Sequence, residues 1–279
     1  MSAKNIFILS ILFCFTAVSY ASDYHSPRTA ALGGAGHGSP LLTDAIYLNP
    51  AMASFLPAYS VSTSYNAYDG KNNSEPRGRV YHFSIQDGRN ELFQAGMGYT
   101  RRADGAFLNI GASKAISQKY GVGLGSKYAF RSANKKSAND GTLSFLANPL
   151  PWFQGSLIVD NLLQTANGKN WNLYREYILG MKFSIMNILM IYFDPHLVPS
   201  KVGNSFGYEV GLELPLFQDL YLRAGKSQQS LQPHVATYGR GYGMGLGWVF
   251  PRFSLDAALY RSVEPILTNN KEISMTISY

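Results

Sequence analysis

The chain carries five histidines, His25, His37, His82, His196 and His234, and they are the first residues to test for chemistry. None stands in the His-Glu-x-x-His spacing that places two imidazoles on one metal. His82 and Ser84 are two apart and would share one face of a strand, while Asp194 lies near His196. A Ser-His-Asp arrangement is therefore conceivable, but no Gly-x-Ser-x-Gly elbow presents a nucleophile. Cys14 is the only cysteine, and it sits in the leading apolar run. The sequence thus predicts no catalytic residue, no metal ligand set and no cofactor, and it reads as a non-enzyme. Polar residues facing an enclosed interior are the simpler account.

The charged residues point the same way. In "FGYEVGLELPL", Phe206, Tyr208, Val210, Leu212 and Leu214 alternate with Glu209 and Glu213. Two carboxylates in lipid would be costly, so their shared face should look into a lumen. The same alternation places Lys127, Arg223, Asp256 and Glu272 inward, where they are expected to pair with one another or with a segment inside.

The elements that position these residues read as strands. Tyr242, Met244, Leu246, Trp248 and Phe250 alternate with Gly243, Gly245 and Gly247, bulky residues on one face and glycines on a crowded one. A dinucleotide loop would need its glycines between a strand and a helix. In "KEISMTISY", Ile273, Met275, Ile277 and Tyr279 alternate with polar residues. Strands are predicted at 59–68, 78–86, 91–101, 105–116, 120–131, 141–147 and 152–161. They continue at 173–185, 187–194, 206–216, 219–226, 241–250, 253–261 and 271–279. The connections are short in one set, such as 117–118 and 251–252. In the other set they are longer and polar, such as 132–140 and 227–240, with 102–105 the exception. That asymmetry fits a bacterial barrel with short periplasmic turns and longer outer loops.

Composition agrees. Charged residues are 15%, aromatics 14%, and tyrosine alone numbers 19, a charge-poor, aromatic-rich profile suited to a transmembrane barrel. The net charge is +7, but the positives are scattered through loops, which argues against nucleic acid as a partner. Residues 1–21 read as a signal peptide. Lys4 precedes the apolar run Ile6 to Val18, and Ser19 and Ala21 provide the small cleavage residues. Loss of Cys14 with that peptide leaves an exported chain without disulfides.

Residues 22–58 fit no strand, although a short helix is expected near Leu41 to Leu48. Fourteen strands enclose a lumen too wide for their own side chains to fill, so this segment is the expected plug before a barrel at 59–279. Here the sequence resembles the long-chain fatty acid transporter (FadL-like) superfamily of outer-membrane barrels. The matching positions are Gly33-Gly34-Ala35-Gly36, Asp44-Ala45 and Asn49-Pro50-Ala51, which in that family lie within an N-terminal hatch. Pro50 fixes its own φ and drives Asn49 out of the helical region, so the chain must turn there.

The resemblance implies an all-β, transmembrane antiparallel barrel in the bacterial outer membrane, with passive passage of small hydrophobic molecules. Outer-membrane lipid, a hydrophobic ligand and the barrel-assembly machinery, reached through the last strand ending at Tyr279, are the implied partners. The outer loops, including 102–105 and 164–172, are shorter than those forming the capture groove of the fatty acid transporters. An alternative is a non-transporting barrel similar to the PorV-like group, acting as a scaffold for a secreted or surface protein. A barrel hydrolase using Ser84 and His82 is a third reading.

Overall fold

The computed structural model describes residues 24–70, 76–199, 205–217, 219–232 and 237–279. The predicted signal peptide, with Cys14, and His234 lie outside the described residues.

Fourteen antiparallel strands form one closed barrel. They are β1 (Tyr59–Gly70), β2 (Gly78–Asp87), β3 (Gln94–Arg102), β4 (Gly105–Ala115), β5 (Tyr120–Phe130), β6 (Ala138–Leu150) and β7 (Phe153–Asp160). The ring continues with β8 (Glu176–Ile185), β9 (Leu189–Leu197), β10 (Phe206–Leu216), β11 (Leu220–Gln232), β12 (Thr237–Phe250), β13 (Phe253–Glu264) and β14 (Thr268–Ser278). Each strand pairs with its neighbours in sequence, and β1 pairs with β14 to close the ring.

Period-two alternation explains the faces. Along β10 the even positions, from Phe206 to Leu212, look outward, while Glu209 and Glu213 are buried. Outward positions include Leu124, Met244, Trp248 and Ile273, each at least half exposed. The inward faces are lined by Ser60, Ser62, Ser64, Asn66, Gln86 and similar polar groups, all buried.

The strand ends depart from the sequence expectation. β11 continues to Gln232 where 226 was expected, β12 begins at Thr237, β13 reaches Glu264 and β6 spans Ala138–Leu150. In β11 the added residues Ser227 to Ser230 are polar on both faces, so the apolar contrast that reveals a strand disappears there while the backbone ladder continues. Other strands begin later than expected, β3 at Gln94 and β8 at Glu176, and β9 is displaced to Leu189–Leu197.

The segment before β1 holds two helices, α1 (Pro27–Ala31) and α2 (Ala45–Leu48), with 3-10 turns at Leu42–Asp44 and Pro50–Phe55. Ser26 and Thr29 cap α1 reciprocally and Pro27 occupies its first turn, which is how five residues hold a helix. The helix expected near Leu41 to Leu48 is half 3-10, and α1 and the Pro50–Phe55 turn lay outside that expectation. Asn49, at φ −156°, interrupts the helical run before Pro50 starts the second turn. Between Ala166 and Asn170 the β7–β8 connection folds into α3.

Candidate functional site

The front segment, residues 24–58, packs against inward-facing residues of the wall, and glycines make the contact close. A Cβ on Gly243 would strike the Ala30 carbonyl oxygen, and one on Gly225 the Leu32 carbonyl. Helix α1 therefore rests directly on the backbone of β11 and β12. Gly123 of β5 gives the same clearance to the Pro50–Ala51 peptide, and Gly180 of β8 to His37–Gly38. Only a side chain of one hydrogen permits such approach.

A buried charge network joins α1 to the wall. Arg28 Nε donates to Glu213 Oε2 at 3.2 Å, and its Nη2 donates to the Tyr192 hydroxyl at 2.7 Å. Tyr192 in turn donates to Glu213 Oε1 at 2.9 Å, and Arg223 Nε donates to Glu213 Oε2 at 2.6 Å. Arg223 also pairs with Asp256. Arg28, Glu213 and Arg223 are each at most 4% exposed. Two guanidiniums around one carboxylate, with a phenol on its second oxygen, satisfy groups that would be costly to bury alone.

Asp194 of β9 forms a second anchor. Its Oδ2 accepts from the backbone N–H groups of Gly36 at 2.7 Å and His37 at 2.8 Å, and lies 3.1 Å from His37 Nδ1. Its Oδ1 accepts from Met181 N at 3.2 Å. Glu209 Oε2 stands 3.7 Å from the same imidazole nitrogen. Burial depresses the basicity of His37, but its bond to Asp194 and the charges of Asp194, Glu209 and Glu176 outweigh it. They raise its pKa to about 9. His25, packed edge-on to Tyr260 at 5.4 Å, moves the opposite way to about 4, driven by burial and then by the His37 charge. The donor atoms of His37, Asp194 and Glu209 lie within 4.8 Å of one another, a grouping that could hold a metal ion and that their sequence spacing does not reveal.

Each sequence-predicted residue has a definite place. Gly33, Gly34 and Gly36 have positive φ, a conformation that favours glycine, and Ala35 packs with Leu32 and Tyr192. Asp44 accepts from Tyr24 Oη at 2.6 Å and Ser26 Oγ at 2.7 Å, folding the segment on itself; burial raises its pKa despite these bonds. Asn49 is fully buried and donates to the His37 carbonyl at 2.9 Å. Pro50 sits over Gly111 and Gly125, and Ala51 N donates to Ser144 Oγ at 2.9 Å.

Among the inward charges, Glu213, Arg223 and Asp256 meet one another, while Lys127 pairs with Asp160 at 2.9 Å. Glu272 accepts from Asn66 at 2.8 Å, and Glu209 accepts from Ser230.

The conceivable triad does not assemble. His82 Nδ1 is 2.8 Å from Thr100 Oγ1 and its ring meets Tyr24 edge-on, whereas Asp194 is engaged by Gly36, His37 and Met181. Sequence reasoning missed Arg28, His37, Tyr192, Asp194 and Asp160 as members of this interior. For Tyr192 and Asp194 the signal existed, since they alternate with Phe193 and Pro195 along the expected strand at 187–194; ending that strand at 194 hid His196. Arg28 and His37 sit in aperiodic chain and carry no such pattern.

Small cavities lie between the front segment and the wall. One cavity of about 40 Å³ is bounded by Tyr24, His25 and His37 with Glu176, His196 and Glu209. Another of about 20 Å³ lies beside Tyr47, Thr100 and Lys127. These hold a few waters at most.

No family model matches the chain, and no curated protein sequence does. Its likeness is to solved structures. The toluene transporter TodX of Pseudomonas putida superposes with a TM-score of 0.64 at 12% identity, covering 94% of this chain and 99% of that one. A FadL homologue from Pseudomonas aeruginosa gives 0.59 at 11% identity, over 94% and 99%. The outer membrane protein Omp33 of Acinetobacter baumannii gives 0.51 at 11%, over 80% and 99%. One of these three is described as a transporter and one as an outer membrane protein, and none of the three is described as an enzyme. At such identities the likeness is one of fold, and the fold of this chain is that of the FadL-type outer-membrane barrels.

Proposed function

We propose that this chain is an outer-membrane β-barrel whose lumen is plugged by residues 22–58, and that it passes small apolar molecules inward without an energy source. The observation that carries this reading is the fit of the front segment, which lies against inward glycines and inward charges all around the ring. The outward face, with Leu124, Met244 and Trp248 exposed, offers an apolar surface too extensive for water. Likeness in fold to a toluene transporter supports the class of passenger. The interior cavity is walled by His25, His37, Glu176, His196 and Glu209, so an apolar molecule crosses only when the plug shifts.

Deleting residues 30–55 tests this in reconstituted vesicles. Conductance or uptake of an apolar dye should rise or change against the full chain, and no change in either would overturn the reading.

A second reading, a non-transporting scaffold, is favoured by the tightness of the same interior. It predicts no solute flux from the full chain together with co-purification of a secreted or surface protein.

A further inference from the structure

The outer wall of the barrel has two unlike arcs. On β4 through β10, the outward strand positions carry a single cation, Lys114, near the short β4–β5 turn. On the other seven strands, β11 through β14 and β1 through β3, outward positions hold Lys226, Arg261, Lys271, Arg79 and Arg101. Among the described residues none of these five is in an ion pair. The exposed acids on the same strands, Asp69, Asp87 and Glu264, already face Arg77, Arg89 and Arg240.

Register brings these cations together. Lys226 is opposite Tyr242, and Tyr242 opposite Arg261. Ala67 is opposite Lys271 on one side and Arg79 on the other. The small Ala67 thus leaves a slot flanked by two cations, two strand spacings apart, or about 9.5 Å across the backbone. Arg101 follows, opposite Tyr81.

The same arc holds an apolar depression. A groove of about 630 Å³ has Ala67 and Ala257 as small members, with Leu246, Leu259 and Ile273 beside them and Lys271 among its lining residues. A second groove of about 490 Å³ shares Leu246, Ala257 and Ile273 and extends to Trp248 and Met275. Joined, they run along the wall from a cationic head to an apolar foot.

We propose that this arc is a docking site for a phosphorylated, multiply acylated glycolipid of the bilayer's outer leaflet. Its phosphates lie between Lys271 and Arg79 and toward Arg261, and an acyl chain fills the groove over Ala257. Charge complementarity selects the occupant: phosphatidylglycerol brings one phosphodiester, whereas five unpaired cations spread over seven strands match a headgroup with more than one phosphate. The inference rests on the outer-membrane reading, because only a barrel in a bilayer presents this face to lipid.

The test reconstitutes the full chain in phosphatidylcholine vesicles containing a minor fraction of either lipid A or phosphatidylglycerol. Flotation and heat-modifiable migration first establish insertion, and native mass spectrometry then reads the lipid retained. Lipid A should be retained over phosphatidylglycerol. The double variant Lys271→Ala/Arg79→Ala should lose about thirtyfold, as expected for two interfacial cations at about 1 kcal/mol each. Lys114→Ala, an equal charge on the other arc, should lose nothing, while Ala257→Phe should cut retention by filling the groove with the cations intact.

Equal retention by the double variant and the Lys114 control would overturn the proposal, and so would equal retention of the two lipids. Failure of the chain to insert at all would instead overturn the outer-membrane reading beneath it.

Discussion

The front segment grips two parts of the wall by different chemistry. From Pro27 to His37 it meets β8 through β13 through buried charge: Arg28 on Glu213, and the Gly36–His37 backbone on Asp194. From Ala45 to Phe55 it meets β3 through β6 through small apolar groups. There Ala45, Ala51, Met52 and Ala53 pack with Leu146, and Ala51 N–H reaches Ser144. A charge contact is specific in direction and fails sharply when one partner is removed, because the other is left buried and unpaired. A close-packed contact is specific in shape, and it fails in proportion to the volume added or removed.

The sharpest break in this contrast is Arg28→Ala. It leaves Glu213 with the Tyr192 hydroxyl and with Arg223, a single guanidinium that Asp256 also shares, and a buried pair broken from one side costs about 3–5 kcal/mol. Limited proteolysis should cut the front segment while the barrel stays heat-modifiable; unchanged protection would place the anchoring elsewhere.

The His37 anchor should respond to pH. Its folded pKa of about 9 exceeds the ordinary 6.5, so its contribution is complete below about 6.5 and is lost as pH rises through about 9. A shift of that size corresponds to on the order of 3 kcal/mol. Asp194 on β9, Glu209 on β10 and Glu176 on β8 are the charges it faces, with the neutral His25 beside it. Proteolytic protection of the front segment measured from pH 6 to 10 should fall across that window in the native chain and stay flat in His37→Gln.

Gly243→Val examines shape on the charged side. Overpacking costs about 1–3 kcal/mol, and the obstacle here is a backbone carbonyl that no rotamer change removes. Dye uptake should rise as α1 lifts, whereas Gly155→Val, whose nearest neighbour is the Phe153 ring, should leave uptake unaltered.

The smallest effect belongs to Ser144→Ala on the packed side, which removes one neutral hydrogen bond to Ala51 and costs about 1 kcal/mol. Hydrogen exchange at Ala51 should quicken while Gly36 and His37 remain protected. Equal quickening at both places would mean that the two grips are not separate.

Alternation made much of the barrel readable. Phe206–Leu216 was delimited to the residue, because Glu209 and Glu213 sit among large apolar neighbours and contrast is greatest there. In β11 beyond Lys226 the residues are Ser, Gln, Gln and Ser, and a strand with no contrast between faces leaves no period to read. Trp171 shows a different limit. It was assigned to a polar loop, yet it is fully buried against Phe107 and donates to the Lys136 carbonyl at 2.7 Å. Its partners come from another hairpin, and local pattern cannot announce them.

The interior contacts were half legible for the same reason. The wall supplies its charges at regular intervals, but Arg28 and His37 belong to a segment whose order comes from the wall it touches, with no periodicity of its own.

The closure between β1 and β14 has a consequence for how the molecule is made. Tyr59 and Tyr279 exchange backbone hydrogen bonds of 2.8 and 3.1 Å across that seam, joining the two strands of the ring most distant along the chain. A pairing of such long sequence separation carries the largest loop-closure cost and belongs to the last stage of assembly. The segment inside leads directly into Tyr59, so it arrives at the seam together with the strand that must close it. Loading and sealing are thereby linked: a front segment delayed in taking its seat is expected to hold the final strand open.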